Sequence, residues 1–241
     1  MSVRNMRNVQ VDTLPRVGRP DVGVVMSSTW RVGTPERQRA AVEAIAEAWQ
    51  SRPWPDAGLL SYSVYVGEDG DTLLHYSQWR GMEDYREFFR TSRDDRNAAV
   101  DAAVPGIERA GLHAYELYRS TPLAPGAGER EPGAVVIVDV EFDGPDEARQ
   151  RDWIDTVFEA LRTDQGLHPG GIAGHFHVST DGTRVLNYAE WESVEAHIEA
   201  LGGPVGVGSV TPQWRKVHGY PGVTGGGVKR YTPALSLSAG G

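Results

Sequence analysis

Cysteine is absent from the 241 residues, which excludes disulfides, thiolate nucleophiles, cysteine-ligated zinc and iron–sulfur clusters in one step. Long apolar runs are missing too: no stretch approaches the roughly 18 residues that a membrane helix needs, so no membrane partner is expected. The first twenty residues lack the apolar centre of a secretory signal, and the expected localisation is cytoplasmic. Positive charge is in the minority, with 24 Lys and Arg against 33 Asp and Glu, a net charge of −9. A chain of that sign does not bind nucleic acid through overall basicity. No Gly-x-Ser-x-Gly elbow is present either, so a serine triad of that type is not expected. What is there is apolar material for a real core: 39% hydrophobic residues, seven Trp and nine Tyr. Chemistry is left to His, Trp, Tyr, Asn, Arg, carboxylates or a borrowed cofactor.

The chain repeats itself. Asp69-Gly-Asp-Thr-Leu-Leu-His-Tyr-Ser-Gln-Trp79 has a counterpart in Asp181-Gly-Thr-Arg-Val-Leu-Asn-Tyr-Ala-Glu-Trp191, at an offset of 112 residues. The same offset, without a gap, pairs Val24 with Val136, Arg37-Gln38-Arg39 with Arg149-Gln150-Arg151, and Gly58 with Gly170. An ungapped match of that extent marks two copies of one unit. The expected organisation is an arm at 1–21, a first repeat at 22–120, a linker at 121–133, a second repeat at 134–235 and a tail at 236–241. The Pro/Gly-rich composition of 121–133 suits a surface linker, and the arm is expected to be loosely held. Gly225-Gly226-Gly227 is read as a turn before a last strand, since no strand-to-helix transition surrounds it.

Each copy reads strand, helix, strand, strand, helix, strand. Val136, Val138, Val140 and Phe142 alternate with polar residues, as a half-buried strand requires. Asp146 then caps a helix whose Trp153, Ile154, Val157, Phe158 and Leu161 form one stripe. In copy one Thr34 is the cap and Pro35 the first helical residue. Asp69-Gly70 and Asp181-Gly182 suit hairpin turns, and second helices begin near Met82 and Val194. A βαββαβ unit covers one face of its sheet with helices and leaves the other to be buried. The expected fold is therefore α+β: two tandem ferredoxin-like repeats whose sheets pack into a pseudo-dimeric α+β barrel.

Strand alternation puts Leu73, His75, Ser77 and Trp79 on one face, and Val185, Asn187, Ala189 and Trp191 on the equivalent one. A polar group followed four positions later by an indole, with a small residue between, can line a pocket for a flat aromatic ligand. His175 and His177 share one strand face and are expected to border the copy-two pocket. Their spacing also suits a metal, but structural or pocket-lining roles outweigh that reading and no metal site is assigned.

The two-copy unit with strand-borne Asn/His-x-x-x-Trp resembles the antibiotic biosynthesis monooxygenase superfamily of dimeric α+β barrels. The resemblance implies small oxygenases that turn aromatic polyketide anthrones into quinones with O₂ and no metal or bound flavin. It also implies a likeness to larger enzymes that cleave a ring of angucycline polyketides and draw on reduced flavin (FADH₂ or FMNH₂), supplied by a flavin reductase. The anthrone-oxygenase pattern is an Asn, a Trp four residues on, a Tyr six after that and a later Arg. Copy two carries Asn187 and Trp191, with His197 at the Tyr position. Copy one carries Trp79 and Tyr85, with His75 at the Asn position. The arginine falls on Arg93 or Arg96 in copy one and on Arg215 in copy two. The resemblance thus implies catalytic roles for these Asn, Trp, Tyr and His residues and substrate contacts for the arginines, with His197 or His75 moving the proton. A non-redox polyketide cyclase or isomerase, or a ligand-binding protein of the same fold, is the alternative. A homodimer is a further expected assembly.

Overall fold

The computed structural model describes residues 9–12, 14–55, 58–124, 126–127, 130–163, 170–202 and 211–240. Two compact units divide the chain: unit 1 holds the residues up to Ala114 and those from Pro233 on, and unit 2 spans Tyr115–Thr232. Both have α+β architecture.

Unit 1 contains β1 (Val9–Asp12), β2 (Val24–Arg31), α1 (Pro35–Gln50), β3 (Leu59–Gly67), β4 (Thr72–Trp79), α2 (Met82–Thr91) and α3 (Arg93–Ala103). The first part of β5 (Glu108–Pro122) completes this set. The end of β9 (Val223–Ala239) lies between β1 and β3, so the unit 1 sheet runs β1-β9-β3-β4-β2-β5. Unit 2 contains β6 (Ala134–Phe142), α4 (Glu147–Thr163), β7 (Gly171–Ser179), β8 (Arg184–Trp191), α5 (Val194–Leu201) and α6 (Pro212–His218). Its sheet runs β5-β7-β8-β6-β9. In each unit the four strands of one repeat take the order fourth, first, third, second. The fourth strands are the long ones, 15 and 17 residues, and each has residues counted in both units.

The repeated residues hold equivalent places. Thr34 accepts from the Arg37 amide at 3.3 Å and Asp146 from the Arg149 amide at 3.0 Å, so both long helices start on a side-chain cap. The Gln of each Arg-Gln-Arg is buried and pins its helix to the hairpin beneath: Gln38 donates to the carbonyls of Gly67 (3.0 Å) and Thr72 (2.9 Å), and Gln150 to the carbonyl of Ser179 (3.2 Å) and that of Arg184. Gly70 and Gly182 turn the hairpins with φ of 70° and 78°. A bulge recurs as well, between Leu59 and Ser61 and between Gly171 and Ala173.

Three local expectations need correcting. The arm is not wholly loose: β1 pairs with Ser236–Ala239, and the buried Gln78 amide donates to the carbonyls of Arg16 and Val17 at 3.1 and 3.3 Å. Gly225–Gly227 lie inside β9 rather than in a turn before it. A Cβ on Gly226 (φ 135°) would stand 2.1 Å from the Asp139 carbonyl oxygen, so only glycine lets β9 approach β6 there. The second helical segment is also two helices, α2 and α3 in unit 1. Among the described residues no helix is long and apolar enough to cross a membrane.

Candidate active sites on the two helical faces

In both units the face of the third strand that carries the Trp is covered by helices, and a cavity opens between them. The unit 2 cavity measures about 290 Å³ and that of unit 1 about 130 Å³. A cavity of about 150 Å³ admits one benzene ring, so the larger has room for fused rings and the smaller for a single ring.

The unit 2 cavity is walled by apolar side chains of β6, α4 and α6, among them Val136, Val138, Trp153 and Trp214. Its polar atoms come from Asn187 and Trp191 of β8, His197 of α5 and His218 of α6. Val138 pairs with Asn187 across β6 and β8, which fixes Asn187 in the sheet centre. The Asn187 Oδ1 atom is buried without a hydrogen bond and lies 3.6 Å from where a Cβ of Gly174 would sit. With that oxygen turned to Gly174, the amide NH₂ is the end left for the cavity. The His197 ring meets Trp191 edge-on, with centroids 4.9 Å apart.

Arg230 settles the chemistry of His197. Its Nε–H donates to His197 Nδ1 at 3.0 Å. A guanidinium has no acceptor, so Nδ1 is bare and the neutral ring carries its proton on Nε2. Burial, and then the Arg230 charge, push the His197 pKa down to about 4. His197 in this state donates a hydrogen bond and has no free lone pair with which to take a proton. His218 is different: exposed on α6 and stacked on Trp214 at 6.0 Å, it makes no hydrogen bond among the described residues.

Several residues picked from the sequence lie elsewhere. Arg215 is exposed on α6 and does not line the cavity; the arginine nearest the site's chemistry is Arg230 of β9, which bonds His197 but is not itself among the lining residues. His175 and His177 fall on the face of β7 opposite Phe176, whose ring lines the cavity, so neither borders it. His175 Nδ1 bonds Ser120 Oγ at 2.8 Å, and His177 Nδ1 meets the His175 and Leu186 carbonyls at 3.1 and 3.3 Å. Burial holds the His177 pKa down at about 3. Asp139 and Glu141 are both engaged by Arg184 at 2.9 Å. Among the described residues no group of three His, Asp or Glu could hold a metal ion.

The unit 1 cavity brings together His75, Trp79, Tyr85, Arg93 and Arg96, and adds Tyr62, Trp30 and Arg109. Tyr62 Oη and His75 Nδ1 are 2.7 Å apart, and burial drives the His75 pKa down to about 3 and that of Tyr62 up. Trp79 Nε1 donates to Ser77 Oγ at 2.9 Å and its ring meets Tyr85 edge-on at 5.4 Å. Arg109 stacks on Trp30, 4.4 Å from the ring centroid, and Trp30 covers His75 at 4.1 Å. Nothing in the sequence marks Arg109, Arg230 or His218, because which strand or helix residue turns towards a cavity depends on twist and on how the last elements pack.

A flavin nucleotide would need its phosphates held, yet among the described residues no arginine or lysine lines the unit 2 cavity. The lining fits one flat ring system and does not fit a flavin nucleotide beside it.

No protein-family model and no curated protein matches this sequence. Solved structures do match. An anthrone oxidase-like protein superposes with a TM-score of 0.70 at 17% identity, over 90% of this chain and 94% of that one. Provisionally assigned monooxygenases from Fusobacterium nucleatum (TM-score 0.57, 8% identity, 92% and 97% covered) and Lactobacillus acidophilus (0.54, 11%, 90% and 97%) follow. At these identities the likeness shows the fold alone.

Proposed function

We propose that the chain is an oxygenase of the monooxygenase type, and that unit 2 oxidises a flat polycyclic phenol or anthrone of the aromatic polyketide class with O₂. The observation that carries this is the pair of donors, Asn187 and His197, lining an apolar cavity wide enough for fused rings. The fold shared with the anthrone oxidase-like protein supports it.

The chemistry asks little of the protein. An anthrone that loses a ring-methylene proton becomes an aromatic oxyanion, electron-rich enough to pass one electron to O₂. The resulting radical pair recombines as a C–O bond to give a peroxide anion. Protonation yields the hydroperoxide, which loses water to leave a new carbonyl. Substrate and O₂ become quinone and one water, and all four electrons taken up by oxygen come from the substrate. The site must then bind the rings, hold the oxyanion and move one proton out and back. Trp191 and the apolar wall bind the rings. The Asn187 NH₂ and His197 Nε2–H hold the oxyanion, the second polarised by Arg230 behind it. His218, with no hydrogen bond among the described residues, moves the proton. In water-excluded surroundings one such donor is worth about 10²-fold in rate.

The test is an oxygen electrode with a hydroxylated anthrone. Uptake of one O₂ per substrate, reduced about 10²-fold in Asn187→Ala, is the expected result; absence of enzyme-dependent uptake sinks the reading. A cyclase or isomerase of the same fold would instead turn substrate over without oxygen.

A further inference from the structure

We propose that the unit 1 cavity is a separate binding site for a small aromatic carboxylate of one ring. The proposal is independent of the chemistry assigned to unit 2, because every residue it uses belongs to unit 1. Size sets the first limit: about 130 Å³ is close to the cavity volume that takes one benzene ring and under half that of unit 2.

Charge sets the class. Three guanidinium groups, Arg93, Arg96 and Arg109, line this space, and no carboxylate does. Arg93 pairs outside it with Asp94 at 3.3 Å and Arg109 with Asp101 at 2.8 Å. Arg96 has no ion-pair partner among the described residues, although it is only 7% exposed. It donates to the carbonyls of Ser92 (3.0 Å) and Pro53 (2.9 Å), and its Nε stays buried without an acceptor. Burial, and then the Arg52 charge, lower the Arg96 pKa, and Asp95, not within ion-pair distance, offsets this only in part; a buried charge so weakly compensated is costly. An anion seated in the cavity supplies the missing charge.

Aromatic walls set the rest. Trp49 lies under the Arg96 guanidinium at 4.8 Å and stacks on Tyr62 at 4.4 Å, while Trp30 covers His75. His75 Nε2 is a further buried polar atom without a partner. A ring with one carboxylate matches the flat apolar walls and the guanidinium end together; a fused polycycle does not fit, and a neutral ring leaves the charge unmet.

Benzoate is the probe, with benzamide as its neutral counterpart and acetate as the carboxylate without a ring. Binding is followed by calorimetry and by the emission of Trp30 and Trp49. Saturable benzoate binding below ~10 mM, at least tenfold tighter than benzamide or acetate, is the expected result. It should weaken tenfold or more in Arg96→Gln, or in Arg109→Gln should the first variant fail to fold by circular dichroism, and persist in Asn187→Ala. Equal binding of benzamide, equal binding of acetate, no saturation, or loss of binding in Asn187→Ala would each overturn the assignment.

Discussion

Asn187 and His197 come from different elements, ten positions apart in the chain, yet both offer a hydrogen to the same cavity, and their roles rest on what lies behind them. For His197 that is Arg230. Replacement of His197 by Gln keeps an N–H donor and by Ala removes it, so His197→Ala should lose about 10²-fold in rate and His197→Gln distinctly less. Equal losses would argue against a donor role. The imidazole should titrate by NMR with a midpoint near 4, because burial and Arg230 both disfavour its charged form. Arg230→Gln removes the second cause, and the midpoint should rise. A midpoint that stays put or falls would separate Arg230 from the site. His218→Ala should slow proton transfer without weakening substrate binding, which a fall in kcat at constant KM would report.

At the level of elements, the helices are held by their caps and by the buried Gln38 and Gln150. Thr34→Ala should cost about 1 kcal/mol, read as a shift of the denaturation midpoint. β9 offers a sharper contrast. Gly226→Ala meets the Asp139 carbonyl at 2.1 Å and should destabilise by on the order of 2 kcal/mol or more, whereas a Cβ on Gly227 meets nothing within 4 Å and should change stability by about 0.5 kcal/mol or less. Much of this scale was legible in the sequence. The alternation in Val136–Phe142, the caps at Thr34 and Asp146, the Asp-Gly turns and the shared face of Asn187 and Trp191 follow from local geometry, which the residues carry themselves. The glycines inside β9, the Gln78 clasp on the arm, and the roles of Arg230, Arg109 and His218 were not legible. Each depends on a partner far along the chain. His175 and His177 failed for the opposite reason: alternation places them together, but only the bulged register of β7 tells which face meets the helices.

At the level of the molecule, three imidazoles among the described residues are held neutral by burial: His75 and His177 with pKa values near 3 and His197 near 4. Each is lowered from 6.5, so below that pH the unfolded chain takes up protons that the folded one refuses. Their contribution to stability is complete above 6.5 and is lost as pH falls towards the folded values. By pH 5 His75 and His177 should each have cost about 2 kcal/mol, at about 1.4 kcal/mol per pH unit. Urea denaturation at pH 7 and pH 5 should show this drop, reduced in His177→Gln. The two cavities differ in size and lining, the larger carrying Asn187 and His197 and the smaller three arginines. The larger is the one proposed as the place where oxygen meets an aromatic carbon. Conversion of a hydroxylated anthrone under ¹⁸O₂, followed by mass spectrometry, tests it most directly. A quinone heavier by one ¹⁸O atom should form, about 10²-fold more slowly with Asn187→Ala than with the wild type; an unlabelled product, or a labelled one formed as fast by the variant, would rule out oxidation at this site.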